Sequence, residues 1–301
     1  MLDKIQSISL DVKNYYEKNW QAIANCYQMD NQGLPIDSAW YRRRIYKSLL
    51  ESYRPSLILD IGCGGGHTVL DALELGLVSR GVEPILDLVR FGQQNLEHAG
   101  YDKGQISLGD ASSISNFGNE EFDLVAMLSV IPHVPESDWD SLHEEVNRVL
   151  KPGGISVIAY RNELFDMFTA NRFSHKFFMK NFFSHPSYTD SFRLDLESEL
   201  KKFIPFFNVP EINHTESPDK SFGELSRPKT NPLTYSSYIE KFGLQHEKNL
   251  FCNFHATLPN MGRLNSEEIR SIKHELELDL FDKWQGNFMS SMFVAVSRKS
   301  L

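Results

Sequence analysis

Leu57-Ile58-Leu59-Asp60-Ile61-Gly62-Cys63-Gly64-Gly65-Gly66-His67 begins as an apolar run and breaks into closely spaced glycines. The apolar part reads as a strand, and the glycines after it let a nucleotide-like cofactor lie against bare backbone. Gly62 and Gly64 permit a tight turn and close approach, and Gly66 lets the next helix pack near the strand. The N-terminus of that helix offers free N–H groups. The stretch is a cofactor loop rather than a catalyst. A glycine triplet alone is weak evidence, so the residues downstream must name the cofactor.

They do so in chain order. After a short helix over Thr68 to Leu75, a second apolar run from Val78 to Val82 ends in Glu83. That carboxylate can accept both hydroxyls of a ribose, and it lies 23 residues past Asp60, close to the ~20 expected of a ribose-binding acid. A third strand, Ile106 to Leu108, ends in Gly109-Asp110-Ala111, where Asp110 can accept from an exocyclic adenine amine and Ala111 leaves room for the ring. A fourth strand, Phe122 to Ser129, leads through Val130-Ile131-Pro132-His133 to an amphipathic helix bearing Trp139, Leu142, Val146 and Val149 on one face. That helix stops at Lys151-Pro152-Gly153-Gly154, before a fifth strand from Ile155 to Tyr160.

Taken together, these motifs resemble the class I S-adenosylmethionine (SAM) dependent methyltransferases, and most closely the small-molecule branch that includes the quinone-biosynthesis enzymes. The resemblance is strong over residues 57 to 160 and weak on the flanks. It implies SAM as cofactor, with the glycine loop (Asp60, Gly62, Gly64, Gly66) under the methionine part, Glu83 on the ribose, and Asp110 and Ala111 at the adenine. Ser129, at the end of the fourth strand, is counted with them. A nicotinamide dinucleotide site shares the loop and the acid, but Gly109-Asp110-Ala111 and Leu150-Lys151-Pro152-Gly153-Gly154 fit the methyltransferase plan. The implied fold is α/β: a Rossmann-like, seven-stranded sheet in the order 3-2-1-4-5-7-6, with an N-terminal helical cap and an inserted helical lid subdomain.

At 301 residues the chain exceeds one sheet-based cofactor domain, and the additions are expected to hold substrate specificity. A net charge of −9 argues against a nucleic-acid partner, which would call for a clustered basic face. The dense basic run Arg42-Arg43-Arg44 with Lys47 is too short to reverse this and reads as a solvated or cofactor-facing helix end. Cys26, Cys63 and Cys252 lie far apart, a reduced and cytoplasmic pattern rather than a disulfide framework or metal cluster. The first twenty residues lack the apolar core of a signal peptide, and no run approaches the ~20 apolar residues of a membrane span. The expected partner is a small-molecule acceptor, with neither nucleic acid nor membrane.

Residues 1 to 50 read as a helical cap, with Tyr15, Tyr16, Trp20, Ile23 and Tyr27 at helical spacing and a turn at Gly33-Leu34-Pro35 before a helix from Trp40. Such a stripe packs a core by default. By the resemblance this segment folds over the SAM site, which would set Tyr15, Tyr16, Trp40 and Tyr41 there; Tyr15 and Tyr41 are counted with the cofactor residues. Aromatic faces can stabilise a sulfonium cation. Residues 51 to 160 form the cofactor core. Residues 161 to 241 are an insertion rich in phenylalanine, from Phe165 to Phe207, and broken by Pro210, Pro218, Pro228 and Pro232. It reads as a small core that also walls the substrate site and covers it. Residues 242 to 301 complete the sheet with a strand-like run from Leu250 to Ala256, a helix starting near Asn265 and burying Ile269, Ile272, Leu276, Leu280 and Trp284, and a last strand from Met289 to Ser297.

Methyl transfer from a sulfonium is an in-line displacement, so the protein chiefly aligns the reactants. A hydroxyl nucleophile must also lose a proton, whereas an amine lone pair need not. His133 follows the fourth strand, and a neutral imidazole there suits a proton acceptor; the bland alternative is a bond to a loop carbonyl. His255, in Phe251-Cys252-Asn253-Phe254-His255-Ala256, is the second candidate. Tyr160, Arg161 and Asn162 follow the fifth strand and could bind substrate polar groups, while His67 reads as a helix cap or a neighbour of the SAM carboxylate. No Asn/Asp-Pro-Pro-aromatic run of an amino-methylating DNA enzyme and no Pro-Cys nucleophile are present. Glu136 and Asp138 are explained as N-terminal helix acids rather than metal ligands. The expectation is a methyltransferase for a small, partly apolar acceptor, preferably on oxygen. N-methylation of a metabolite, sugar or glycan O-methylation, and a non-catalytic SAM-binding regulator are the alternatives. Asn231-Pro232-Leu233 and the run Phe254 to Pro259 resemble glycan-decorating methyltransferases.

Overall fold

The computed structural model describes residues 10–31, 33–204, 228–257 and 266–301. Helices α1 (Leu10–Ala24) and α2 (Ala39–Tyr53) precede strand β1 (Leu57–Ile61), α3 (His67–Glu74), β2 (Val78–Glu83), α4 (Leu86–His98) and β3 (Ile106–Leu108). Then come β4 (Phe122–Met127), α5 (Trp139–Val149), β5 (Leu150–Arg161), α6 (Arg172–Asn181) and α7 (Asp190–Phe203). After them follow α8 (Tyr235–Ile239), β6 (Leu244–Phe254), α9 (Ser266–Asp279), α10 (Gly286–Met289) and β7 (Ser290–Lys299). The seven strands form one sheet in the order β3-β2-β1-β4-β5-β7-β6, as expected. The first five run parallel, and β7 pairs antiparallel with both β5 and β6.

The two-residue period of a strand sorts its side chains between the faces of this sheet. Along β5, Ile158 and Tyr160 join the cluster that contains Trp139, Leu142 and Val146 of α5 and Tyr235 and Ile239 of α8. Val157 and Ala159 join the opposite cluster, with Tyr41, Ile45, Leu49 and Leu50 of α2 and Ala72 of α3. Trp139, Leu142, Val146 and Val149 lie at helical spacing and are all buried, so the α5 face contributes ~1.5–3 kcal/mol for each large apolar side chain. Helix α1 packs on α4 through Tyr16, Trp20 and Ile23 against Leu88 and Phe91.

Several boundaries differ from the sequence reading. Strand β5 begins at Leu150, ahead of Lys151-Pro152-Gly153-Gly154. These residues form an irregularity between the Phe122–Leu150 and Leu124–Ile155 pairs, because Leu150 is already extended and Gly153 supplies φ +76°. Helix α1 stops at Ala24, leaving Tyr27 beyond it, and β6 starts at Leu244. Of the apolar stripe expected in α9, Ile272 and Trp284 are exposed, and Trp284 lies past the helix end. The buried side chain there is Glu277. The expected cap Asn265, together with Phe206, Phe207, Pro210, Pro218, Leu258 and Pro259, lies outside the described residues. The backbone of Thr230 pairs with that of Arg161 and Glu163.

Candidate active site

The carboxyl ends of β1 to β5 and β6, together with the start of β7, share one edge of the sheet, where open α/β sheets place their ligands. A cavity of about 600 Å³ lies across that edge. Because neighbouring strands are ~4.8 Å apart, Glu83 on β2 and Arg161 on β5 sit three strand spacings, roughly 14 Å, from one another. Both line the cavity.

The glycine loop is shaped by three positive φ angles, at Gly62, Gly64 and Gly66. Gly62 takes φ +73°, and a β-carbon there would come 2.5 Å from Val130 Cγ2. Gly64 takes φ +55°, and a β-carbon there would meet only open space. Its bare backbone borders the cavity, and its N–H donates to Glu83 Oε2 at 2.9 Å. The N–H of Ile85 donates to the other Glu83 oxygen at 3.1 Å. Gly66, expected at the cofactor, is absent from the cavity lining. It caps α3 and packs against Gly92 of α4 and Ile106 of β3.

Two carboxylates are buried at this end. Asp60 is 1% exposed and Glu83 5%. Burial raises each pKa to about 7, against hydrogen bonds from Thr68 to Asp60 and from the Gly64 and Ile85 amides to Glu83. Among the described residues neither is ion-paired. Buried acids of this kind suit a ligand that brings positive charge and hydroxyl donors, as a sulfonium, an ammonium and a ribose do. Asp110 and Ala111 complete this end of the lining. Asp110 Oδ1 also accepts from the Ser112 N–H at 3.0 Å and from its hydroxyl at 2.6 Å, so the same residue caps the turn that follows β3. These residues fit the cofactor that the loop implies.

The other expected residues divide cleanly. Ser129, Tyr15, Tyr16, His133 and Arg161 line the cavity. Tyr16 Oη lies 2.8 Å from His133 Nε2, with the two rings edge-to-face. Tyr41 is not there: it belongs to the buried Tyr41/Ile45/Leu49 stripe of α2, and its hydroxyl lies 2.9 Å from His274 Nδ1. Trp40 packs on Tyr41 and His274. His67 packs between Tyr27 and Phe91, and burial lowers its pKa to about 4. Tyr160 falls on the wrong side of the sheet, since its parity turns it into the α5 cluster, 2.6 Å from His143 Nε2 and 3.3 Å from Tyr235 Oη. Asn162 is a structural clamp that donates from Nδ2 to the carbonyls of Asn287 and Ser290, each at 2.8 Å. His255 is absent from the lining and packs 4.4 Å from the Phe165 ring. No phenylalanine lines the cavity, so the phenylalanine-rich segment forms no wall of it among the described residues.

Sequence reasoning missed several lining residues, among them Asp37, Arg42, Asn253 and Met292. The basic run was read as a unit, yet its members part ways. Arg43 makes a bidentate bond to Asp71 at 2.6 and 3.0 Å, Lys47 joins it at 3.6 Å, and Arg44 lies over the Phe281 ring. Only Arg42 reaches the cavity. The signal for Asn253 was an amide standing in an apolar strand end, next to the histidine that drew attention instead.

Comparison with known proteins agrees with this geometry. Residues 59–158 match the family model described as a methyltransferase domain. The chain is 31% identical to a protein-L-isoaspartate O-methyltransferase of Thermococcus onnurineus over 169 residues, covering 52% of this chain and 69% of that one. It is 33% identical to norajmaline N-methyltransferase of Rauvolfia serpentina, covering 42% and 44%. The matches to three of the curated relatives span only 29–44% of those proteins' lengths. In fold it is similar to a methyltransferase of Haloferax volcanii solved with its Trm112 activator, with a TM-score of 0.54, 13% identity, and coverage of 97% of this chain and 98% of that one. With its strand order, its glycine loop and these matches, the chain belongs to the class I S-adenosylmethionine-dependent methyltransferases.

Proposed function

We propose that this protein transfers a methyl group from SAM to a small, partly apolar acceptor, and that the accepting atom is oxygen. The observation that carries the reading is the cavity itself, with buried acids over β1 and β2 and His133 and Arg161 over the ends of β4 and β5. When bound, SAM supplies an electrophilic methyl group on a sulfonium. Asp60 and the bare backbone at Gly62 and Gly64 would hold the methionine part, Glu83 the ribose hydroxyls, and Asp110 and Ala111 the adenine. Tyr15 and Tyr16 close the cavity from α1 and exclude water. The proton of an acceptor hydroxyl would reach His133 through Tyr16, whose oxygen accepts it as its own hydroxyl proton passes to His133 Nε2, 2.8 Å away.

The relatives' names include both O- and N-methyltransferases. Oxygen is preferred here because a histidine in the cavity has work to do only if a proton must leave. The scattered cysteines, all three free, and the absence among the described residues of any helix long and apolar enough to cross a membrane support a reading in which the enzyme acts in the cytoplasm on a metabolite. The negative net charge supports a reading without a nucleic-acid partner. Incubation with SAM and candidate acceptors should yield S-adenosylhomocysteine and a methylated product. Failure of the folded protein to bind S-adenosylhomocysteine would overturn the reading.

A further inference from the structure

The β5–β7–β6 end of the cavity carries polar groups that methyl transfer itself does not call for. Arg161 of β5 and Cys252 of β6 both pair with Met292, from opposite sides of β7. Paired residues on neighbouring strands share a face, so the Arg161 side chain stands beside Met292 on the α2 side of the sheet. Arg42 reaches the same spot from α2 and donates to Met292 Sδ at 3.5 Å, a weak acceptor. No ion pair holds Arg42 among the described residues.

Asn253, the residue after Cys252, takes φ +61°. This left-handed step breaks the strand alternation, so Asn253 enters the cavity lining while His255 turns to Phe165. The step is anchored from behind by Glu277, whose Oε1 accepts from the Phe254 N–H at 2.9 Å. Asn253 Oδ1 is buried and has no hydrogen-bond partner among the described residues. A buried amide oxygen left unpaired is a group waiting for a donor.

We propose that this end is an oxyanion-binding acceptor subsite. Arg161, with Arg42 across Met292, holds a carboxylate or phosphate of the acceptor, and Asn253 accepts a hydrogen bond from a hydroxyl or amine beside it. The inference rests on the methyltransferase reading and names the acceptor class as a small organic acid. Its electrostatic logic is polarity along the cavity. Asp60, Glu83 and Asp110 turn an anion away from the β1–β3 half, while guanidinium groups meet planar oxyanions with paired donors. An acceptor anchored by its acid group at β5 and β7 points its other end toward His133 and the centre of the cavity.

The test is calorimetric titration of the full chain, saturated with S-adenosylhomocysteine, using benzoate, phenyl phosphate and benzamide. At least one anion should bind tenfold or more tightly than benzamide, and the better of the two names the oxyanion. Arg161→Gln should abolish that preference while leaving S-adenosylhomocysteine affinity within twofold. Asn253→Gly, which keeps the left-handed backbone, should remove any advantage of 3-hydroxybenzoate over benzoate. Equal affinity for benzoate, phenyl phosphate and benzamide, no binding of any of them, or a preference retained in Arg161→Gln would overturn the subsite alone. A tenfold loss of S-adenosylhomocysteine affinity in Arg161→Gln would overturn it too, by assigning the arginine to the cofactor's own carboxylate. If the unsubstituted protein fails to bind S-adenosylhomocysteine, the methyltransferase reading falls with it.

Discussion

The two ends of the cavity are built in opposite ways. Over β1, β2 and β3, each functional residue belongs to a short local motif, and the charges are acids: the buried Asp60 and Glu83 and the half-buried Asp110. Over β5, β7 and β6, the residues come from distant parts of the chain, and the charges are the guanidinium groups of Arg42 and Arg161. The first end suits a ligand shared by a whole family. The second is assembled by antiparallel pairing and by one left-handed residue, so it can change without disturbing the cofactor. His133, with Tyr16, stands between the two.

The largest effect separating the ends is expected at that boundary. His133→Ala should lower turnover by ~10²–10⁴-fold while leaving SAM affinity nearly unchanged, and the loss should shrink at high pH as the acceptor ionises by itself. Rate measurements across pH check this; a defect independent of pH would point to an amine acceptor.

Glu83→Ala acts on the cofactor end. It removes the proposed ribose acceptor and orphans the Gly64 and Ile85 amides. With charged hydrogen bonds contributing ~1.5–3 kcal/mol each and two ribose hydroxyls to lose, SAM affinity should fall by about 10²–10⁴-fold with the fold intact. Titration of SAM into a variant shown to be folded by circular dichroism measures it. Gly64→Ala should do less, about tenfold, because only the strain of φ +55° opposes the loop, a cost of roughly 1–2 kcal/mol.

The smallest effect is linkage to pH. Asp60 and Glu83 have folded-state pKa values raised to about 7, above the ordinary carboxylate value of ~4. Between those limits the folded protein holds more protons than the unfolded chain. Its stability is therefore greatest below the lower limit, declines as pH rises toward about 7, and then levels off. A cationic, hydroxyl-donating cofactor favours the ionised acids, so its binding should release protons below pH 7 and tighten several-fold from pH 5.5 to 7. Calorimetry in buffers of different ionisation enthalpy reads the proton release directly; proton uptake would remove the acids from the cofactor's contact set.

How much of this was legible from residues alone follows the same division. Strand order, and the meeting of Asp60, Gly62, Gly64, Glu83 and Asp110 along one cavity, were readable because the glycine loop, Glu83 and Asp110 each follow an apolar run whose end marks the sheet edge. Tyr160 and Asn162 were misplaced because a strand reverses facing at every residue, and choosing among 160, 161 and 162 requires the register against β7. His255 was favoured over Asn253 because nothing in composition foretells a positive φ at a non-glycine residue. Arg42 was hidden in a run of arginines that only the placement of Asp71 and Phe281 could separate. Gly66 serves packing rather than ligand contact, a distinction visible only once α4 is in place.

The claim that one cavity holds the cofactor at its acidic end and the acceptor at its basic end is tested most directly by a crystal structure of the S-adenosylhomocysteine complex. The account predicts both ribose hydroxyls on Glu83, adenine beside Asp110 and Ala111, and the sulfur facing the gap between His133 and Arg161. A ribose away from Glu83, or a sulfur turned from the β5–β7–β6 end, would contradict it.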